Sequence, residues 1–310
     1  MSMKKLAVFA FCFFALIGAR AQGCSDAGFC TIPSIAPFGK DTSNFSAEMR
    51  FSLEASEPGA LIISPQAWLH YSVSKTVNLD LKLAGWIVND DSIGSLTSAS
   101  DPILSATFKV YEKEDLKLFI TSGFRLGINN ANSRGSYDDL PMDYQSSLGT
   151  TDLILGLNAT HKDLSGSLAL QYPIWQYNKN QNVVAKYAHF DGLDTVLLEY
   201  KRKPDIMLRL EKKWQLDDWG FRFGIMPIIH LGNDYLKSSS VNATVAIDNS
   251  AGLTLNIPMG MWYTTHNWIF GLDIGFPIVT RQERPDGLTR KYVVQPRIVY
   301  SFSKKYSELF

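Results

Sequence analysis

Short stretches in which apolar and polar residues alternate run through most of the chain. Clear examples are Val77–Leu83, Ile206–Glu211, Trp219–Phe223 and Leu253–Ile257. Successive side chains of a β-strand point to opposite faces, so a two-residue period indicates strands with one apolar and one polar face. Apolar residues at helical spacing are hard to find anywhere in the sequence. The chain is therefore expected to be all-β.

The alternation predicts about twelve strands of the length that crosses a membrane. They cover 46–54, 66–74, 77–88, 103–112, 115–129, 150–161, 164–174, 205–215, 219–231, 252–263, 268–280 and 290–302. Short connections at 75–76, 113–114, 162–163, 216–218 and 265–267 alternate with long ones near 89–102, 130–149, 175–204, 232–251 and 281–289. This asymmetry is typical of outer-membrane up-and-down barrels, whose short turns face the periplasm. We interpret 194–202 as part of a hairpin in a long loop, because an even strand number returns both chain ends to one side.

The apolar faces are rich in leucine, as at Leu79, Leu155 and Leu208, and their strand neighbours are charged or polar. In a soluble periplasmic β-protein the leucines would form the core, whereas in a membrane barrel they face lipid and the polar set lines the interior. Both interpretations stay open. The export signal described below, the loop asymmetry and aromatic residues at strand ends favour the membrane barrel. These aromatics are Tyr71, Tyr172, Trp214, Trp219, Tyr263, Trp268 and Tyr292.

The N-terminus has the features of a secretory signal peptide. Lys4 and Lys5 precede an apolar run over 6–19, and Ala19-Arg20-Ala21 fits a cleavage site before Gln22. We therefore expect a signal peptide at 1–21, an N-terminal arm or plug at 22–45 and an outer-membrane barrel at 46–310. Removal of the signal takes three of the 30 basic residues and none of the 30 acidic ones, which leaves a net charge of −3. Without a basic surplus, no nucleic-acid partner is expected.

Two cysteines stay in the exported chain, Cys24 and Cys30. In an oxidising compartment such a pair indicates one local disulfide. A lipoprotein signal with Cys24 lipidated is the competing interpretation, although Ala21 stands where such signals usually carry leucine. A metal site would need further ligands nearby, and we expect neither metal nor cofactor. Outer-membrane lipid is the one firm partner, and the oligomeric state is not predicted.

The polar face supplies the candidate functional residues, which are predicted to line the barrel interior. Their charges either steer a solute or form an ion-pair network that fills the barrel, and their aromatic rings either bind an apolar or amphipathic solute or fill space. Five further charged residues are also predicted to point inward: Glu48, Asp80, Lys109, Lys117 and Lys213. The candidates are Arg50, Trp68, His70, Lys82, Trp86, Phe119, Arg125, Arg209, Glu211, Arg222, Trp262, Asp273 and Arg297.

Two further patterns need an interpretation. Prolines inside predicted strands indicate bulges or kinks through which the wall could open, or positions near strand ends; they are Pro173, Pro227, Pro258, Pro277 and Pro296. His70 and Ser72 lie on one strand face, as in twelve-stranded outer-membrane phospholipases. However, no Asn-Gly follows to polarise the site, and no common hydrolase or phosphate-binding motif occurs. We predict that the chain is not an enzyme.

Several strings resemble known outer-membrane proteins. Leu148–Gly156 and Ser167–Pro173 are similar to consecutive strands of meta-pathway aromatic-degradation channels, which are akin to the long-chain fatty acid transporter superfamily. Thr150 departs from the glycine-rich turn of that pattern. Cys24–Cys30, His230–Asp234 and Arg284–Arg290 resemble strings in exported proteins of Bacteroidetes. The resemblance implies that residues 22–45 plug the lumen and that apolar solutes leave through the wall.

The function expected from these observations is passive uptake of a small hydrophobic or amphipathic molecule across the outer membrane. Two alternatives stay open: a structural or accessory barrel with a filled lumen, and an outer-membrane hydrolase that uses His70 and Ser72.

Overall fold

In the computed structural model, consecutive barrel strands are hydrogen-bonded to each other and the last strand pairs with the first, which gives one closed antiparallel barrel. The structure describes residues 23–24, 44–56, 60–90, 94–135, 139–188, 198–238 and 243–302. The predicted signal peptide and Cys30 lie outside these residues. Of the predicted arm, Gly23–Cys24 is described and its backbone pairs with Thr289 and Arg290.

The twelve barrel strands confirm the predicted all-β, up-and-down architecture, and each predicted strand corresponds to one of them. The first and last strands pair with each other and close the wall. The strands are β1 (Asn44–Ser56), β2 (Leu61–Ser72), β3 (Val77–Asp90), β4 (Ile103–Lys113), β5 (Leu116–Arg125), β6 (Thr150–His161), β7 (Leu164–Gln176), β8 (Asp205–Leu216), β9 (Trp219–His230), β10 (Gly252–Thr265), β11 (Trp268–Val279) and β12 (Thr289–Ser301).

The outer face of the barrel is apolar over its whole circumference. Leu79, Leu155 and Leu208 are exposed, as the membrane interpretation requires. At the short-turn end, aromatic rings of neighbouring strands touch, with ring centroids 5.1 Å apart for Trp219 and Tyr263 and 4.6 Å apart for Trp268 and Tyr300. Such a girdle suits the membrane–water interface. The leucine faces therefore meet lipid, and the wall is a transmembrane barrel.

Four of the five short connections are two-residue turns of one kind. Glu114, Lys162, Asp217 and His266 each have a positive φ, between 46° and 53°. Each is followed by Asp or Asn, residues that tolerate turn geometry well. Tight turns with a left-handed first residue match the twist of paired strands, so these turns fix the register at the short-turn end.

The opposite, long-loop end is covered by folded connections. The predicted loop 89–102 is wrong in part, because Gly94–Ala99 is a strand that pairs with the end of β3. Leu198–Lys201 is not a barrel strand and not a local hairpin; it pairs with Tyr235–Ser238, which also pairs with Thr244–Ala246. Helix α1 (Gln181–Tyr187) begins at Asn180, whose side chain accepts a hydrogen bond from the Val183 amide. Among the described residues, no helix has the length and apolar character needed to cross a bilayer.

A hydrophobic core joins these connections. We call the described parts of 126–149, 177–204, 231–251 and 280–288 the cap. Its buried core draws residues from all but the last of them, and Leu288 packs against it. The core consists of Ala131, Met142, Leu148, Val183, Val184, Leu198, Tyr200, Leu236 and Ile247.

Three of the five strand prolines coincide with irregularities of the wall, whereas Pro227 and Pro258 lie in regular ladder pairs with Leu255 and Gly275. Pro173 and Pro277 lie opposite bulges at Thr151/Asp152 and Leu255/Asn256, which agrees with the bulge interpretation. Around Pro296, the described residues 293–296 of β12 form no ladder pairs with 51–54 of β1, although pairing resumes on both sides. The closing seam of the barrel is therefore interrupted midway.

Candidate functional site: the barrel interior

All thirteen interior candidates lie on the inner face of the barrel. Eleven are buried, while Arg222 and Arg297 are partly buried, with 12% and 16% of their side chains exposed. Most of them meet in one band of charged side chains nearer the short turns. Trp86 and Arg125 lie apart from it near the cap, and Phe119 and Trp262 are buried elsewhere on the inner face.

One half of this band is built on β1, β2 and β3. The His70 ring stands between two carboxylates, with Nδ1 2.5 Å from Asp80 Oδ1 and Nε2 3.7 Å from Glu48 Oε2. Glu48 also pairs with Arg50, two residues further along the same face. The ring of Trp68 lies between two cations, 5.4 Å from the Arg50 guanidinium carbon. This half therefore holds its charges in mutually satisfied pairs.

The other half is built on β8, β9, β11 and β12. Arg297 lies 3.1 Å from Asp273, which lies 2.9 Å from Arg222. Arg222 in turn lies 3.6 Å from Glu211, and Arg209 donates to Glu211 at 2.6 Å. We call the whole band the charged belt. It comprises Glu48, Arg50, His70, Asp80, Arg209, Glu211, Lys213, Arg222, Asp273 and Arg297.

A glycine makes room for the belt where it passes strand β10. Gly260 is paired with Arg222 on one side and with Asp273 on the other. A Cβ at this position would lie 2.4 Å from Asp273 Oδ1 and 2.7 Å from Arg222 Nε. The ion pair thus crosses the empty space over Gly260, and only glycine fits there.

The inner face also carries apolar zones. Towards the cap, Ile103, Ile154, Ala169, Met207 and Met226 form one buried cluster with Ile228 packed against it. Nearer the short turns, Trp262, Ile269 and Val299 form a second. The interior is therefore amphipathic along its length, with the charged belt between apolar zones.

The rim of the barrel is tied to the cap by a second buried ionic cluster. His230 Nδ1 lies 2.6 Å from Asp205 and its Nε2 lies 2.7 Å from Asp234. Asp234 accepts the Tyr200 hydroxyl at 2.7 Å, and Arg202 lies 3.4 Å from Asp286. Arg281 lies beside Asp286 and 3.9 Å from Asp234. We call Arg202, Asp205, His230, Asp234, Arg281 and Asp286 the latch.

Electrostatics within the latch favour its charged form. Burial opposes ionisation of Asp286, but Arg281 and Arg202 outweigh it and hold the pKa of that carboxyl well below its usual range. Burial and then Asp234 raise the pKa of Tyr200 well above its ordinary value, so that its hydroxyl stays a donor. The latch is thus a set of fixed charges and donors that joins three loops to two strand ends.

A further contact brings the connection after β5 down onto the barrel wall. Trp86 Nε1 donates to the Tyr144 carbonyl at 2.9 Å, and Arg290 Nε donates to Glu54 at 3.0 Å while its Nη2 reaches the Asp143 carbonyl at 3.3 Å. These bonds seat the short 3₁₀ helix Met142–Tyr144 against strands β1, β3 and β12.

Sequence reasoning did not find the latch. Its acids and arginines stand singly at strand ends or within loops, and the two-residue period carries no information about which of them meet. His230–Asp234 stood out as a string, but nothing local indicated that its two ends bind the same histidine ring.

The hydrolase alternative finds no support in the geometry. Asp80 and Glu48 are the carboxylates beside the two His70 ring nitrogens, and the Ser72 hydroxyl is not among the described hydrogen-bond partners of that ring. A nucleophile needs an oriented base within hydrogen-bond reach.

No family model and no curated protein sequence matches the chain. Its structure is similar to that of an outer-membrane channel from Pseudomonas putida F1, with 12% identity over 86% of this chain and 100% of the other and a TM-score of 0.60. The fold is that of an outer-membrane β-barrel. The NanC porin is similar at 8% identity over 82% of this chain and 98% of its own, with a TM-score of 0.48. At 12% identity the likeness to the Pseudomonas channel shows a shared fold alone. A twelve-stranded barrel with an apolar outer face belongs in the outer membrane.

Proposed function

We propose that this protein is an outer-membrane channel for passive uptake of small amphipathic molecules. The observation that carries the proposal is the amphipathic interior of a lipid-exposed barrel, in which the charged belt lies between two apolar zones. A barrel whose interior served packing alone would be filled with less desolvation cost by apolar side chains. The likeness in fold to the Pseudomonas channel supports the same function.

Two elements would control passage. The cap covers the long-loop end through its core and the latch. The second element is the arm 22–45. Near its start, Gly23–Cys24 pairs with the long-loop end of β12, whereas the arm leads into β1 at the short-turn end. The two ends of the arm thus stand at opposite ends of the barrel, as a segment that plugs the lumen would require.

Proteoliposome swelling tests the proposal. We expect the full chain to admit hexanamide faster than a sugar of larger cross-section, and a latch variant, Asp234→Ala, to admit both faster. Hexanamide also crosses lipid unaided, so the rates are compared with those of protein-free vesicles. Swelling with either protein that is no faster than without protein would contradict a channel function.

The alternative function is a structural barrel with a filled interior. The mutual pairing of Glu48, Arg50, His70 and Asp80 favours it, because such a network also rigidifies a wall. For that function the latch variant would leave the vesicles sealed, and loss of the belt pairs would change only the stability of the barrel.

A further inference from the structure

The end of the charged belt on β8–β12 carries more positive than negative groups. Arg209, Lys213, Arg222 and Arg297 lie with Glu211 and Asp273, and Glu48 of the other half also acts on Arg222 and Arg297, so four cations face three carboxylates. Among the described residues, no carboxylate oxygen lies within 4.0 Å of the Lys213 ammonium group. The negative charge that acts on it is Glu211, which Arg209 and Arg222 already share. Nε of Arg209 is buried without a hydrogen-bond partner among the described residues.

The strand register places like charges face to face at this end. Lys213 is directly opposite Arg222 across β8 and β9, and Arg297 is directly opposite Arg50 across the closing seam. Like charges at directly opposed positions of a sheet destabilise it, and burial makes an uncompensated cation more costly. The excess is most simply explained by a negative group that is supplied from outside the wall.

Space for such a group lies beside the belt. Gly275 follows Asp273 on the inner face of β11, and a Cβ there would meet no atom within 4 Å. The apolar cluster begins next to the cations, since Met207 precedes Arg209 on the inner face of β8. Methionine side chains adapt to ligands of different shape. An anionic head among the cations would therefore have an apolar surface beside it, on the side towards the cap.

We propose that the basic end of the belt binds the anionic head, a carboxylate, of a small organic anion whose apolar part lies against Met207 and Met226. This inference rests on the proposed channel function and narrows its substrate class from amphipathic molecules in general to amphipathic anions. Arg209 and Lys213 would contact the head, and the open space over Gly275 would admit it.

Isothermal titration calorimetry of the detergent-solubilised full chain tests the site. The ligands are sodium hexanoate and hexanamide, which differ in charge and share the apolar part. We expect hexanoate to bind at least tenfold more tightly than hexanamide, and Lys213→Gln to weaken hexanoate binding at least tenfold. Lys117→Gln is the matched control, because Lys117 is an exposed lysine at the short-turn end, paired with Glu112 outside the belt.

A second variant keeps every charge in place. Gly275→Leu extends into the open space and should abolish hexanoate binding, and a Cβ at this position meets no atom within 4 Å. Urea unfolding of the variant checks that the barrel still folds. Equal binding of hexanoate and hexanamide, or equal effects of Lys213→Gln and Lys117→Gln, would overturn the anion site.

Swelling assays separate this outcome from failure of the channel proposal. If hexanoate and hexanamide enter proteoliposomes at the same rate, the channel function is supported and the anion site is refuted. If hexanoate binds but neither compound enters, the anion site is supported and the channel function is refuted.

Discussion

At the scale of single residues, the interior depends on where side chains are absent as much as on where they are present. Arg222 and Asp273 sit on strands that are not neighbours, and they meet because Gly260 on the strand between them carries no side chain. Any side chain at position 260 of β10 would have blocked the pair. The glycine thus couples two strands through an ion pair rather than through backbone hydrogen bonds.

Replacing Gly260 by alanine should destabilise the barrel by about 2 kcal/mol, since the new Cβ forces the ion pair apart and overpacks the site. Urea unfolding in lipid vesicles, followed by tryptophan fluorescence, measures the change. Gly275→Ala is the matched control, an inward glycine on the next strand with free space, and it should change stability by less than about 0.5 kcal/mol. Equal losses in the two variants would refute this role of Gly260.

At the scale of elements, the strands were predictable and the cap was not. The two-residue period fixes each barrel strand locally, because one face must meet lipid along the whole wall. The two-residue turns Glu114-Asp115 and Lys162-Asp163 depend only on their own residues, so they too can be predicted from the local sequence. The interior positions of Trp68 and Arg209 follow from the same alternation. The cap core instead joins Ala131 with Ile247, and no periodic pattern relates residues so far apart in sequence.

The latch holds the cap to the rim chiefly through Asp234, which accepts from Tyr200, from the Lys203 amide and from His230. Asp234→Ala leaves those partners buried without an acceptor, so we expect the cap to lose about 3 kcal/mol of stability. Limited trypsin digestion should then cut the chain after Lys201 or Arg202 many times faster than in the parent. Asp248→Ala, at an exposed position of the same loop, should leave the cleavage rate unchanged.

The latch also sets the acid tolerance of the cap. A carboxyl whose pKa is lower in the folded state stabilises that state fully above its unfolded pKa of about 3.9, and the stabilisation is lost as pH falls through the folded value. Because Arg281 and Arg202 lower the pKa of Asp286, most of its contribution should persist at pH 4 and be lost only as the pH falls well below the unfolded pKa.

Hydrogen exchange of the cap amides, corrected for the intrinsic effect of pH, measures this stability. Asp286→Asn should raise exchange already at neutral pH. Opening of the parent cap near pH 5 would show that Asp286 does not set the limit.

At the scale of the whole molecule, the surrounding medium decides which face tolerates charge. Leu155 and Asn158 lie on the same strand and point in opposite directions. Leu155→Arg puts a charge into hydrocarbon and should cost about 2–4 kcal/mol, whereas Asn158→Arg faces the interior and should cost far less. Urea titration of the barrel in vesicles compares the two. A larger loss for Asn158→Arg would mean that the leucine faces do not meet lipid.

The core of the cap has a consequence for how the cell surface is recognised from outside. Its members come from loops that are separated by whole pairs of strands, and each loop gains its shape from the others. An antibody raised against a peptide copy of one loop would therefore find its epitope in the denatured chain and miss it on living bacteria. Sera against the intact barrel should show the reverse preference.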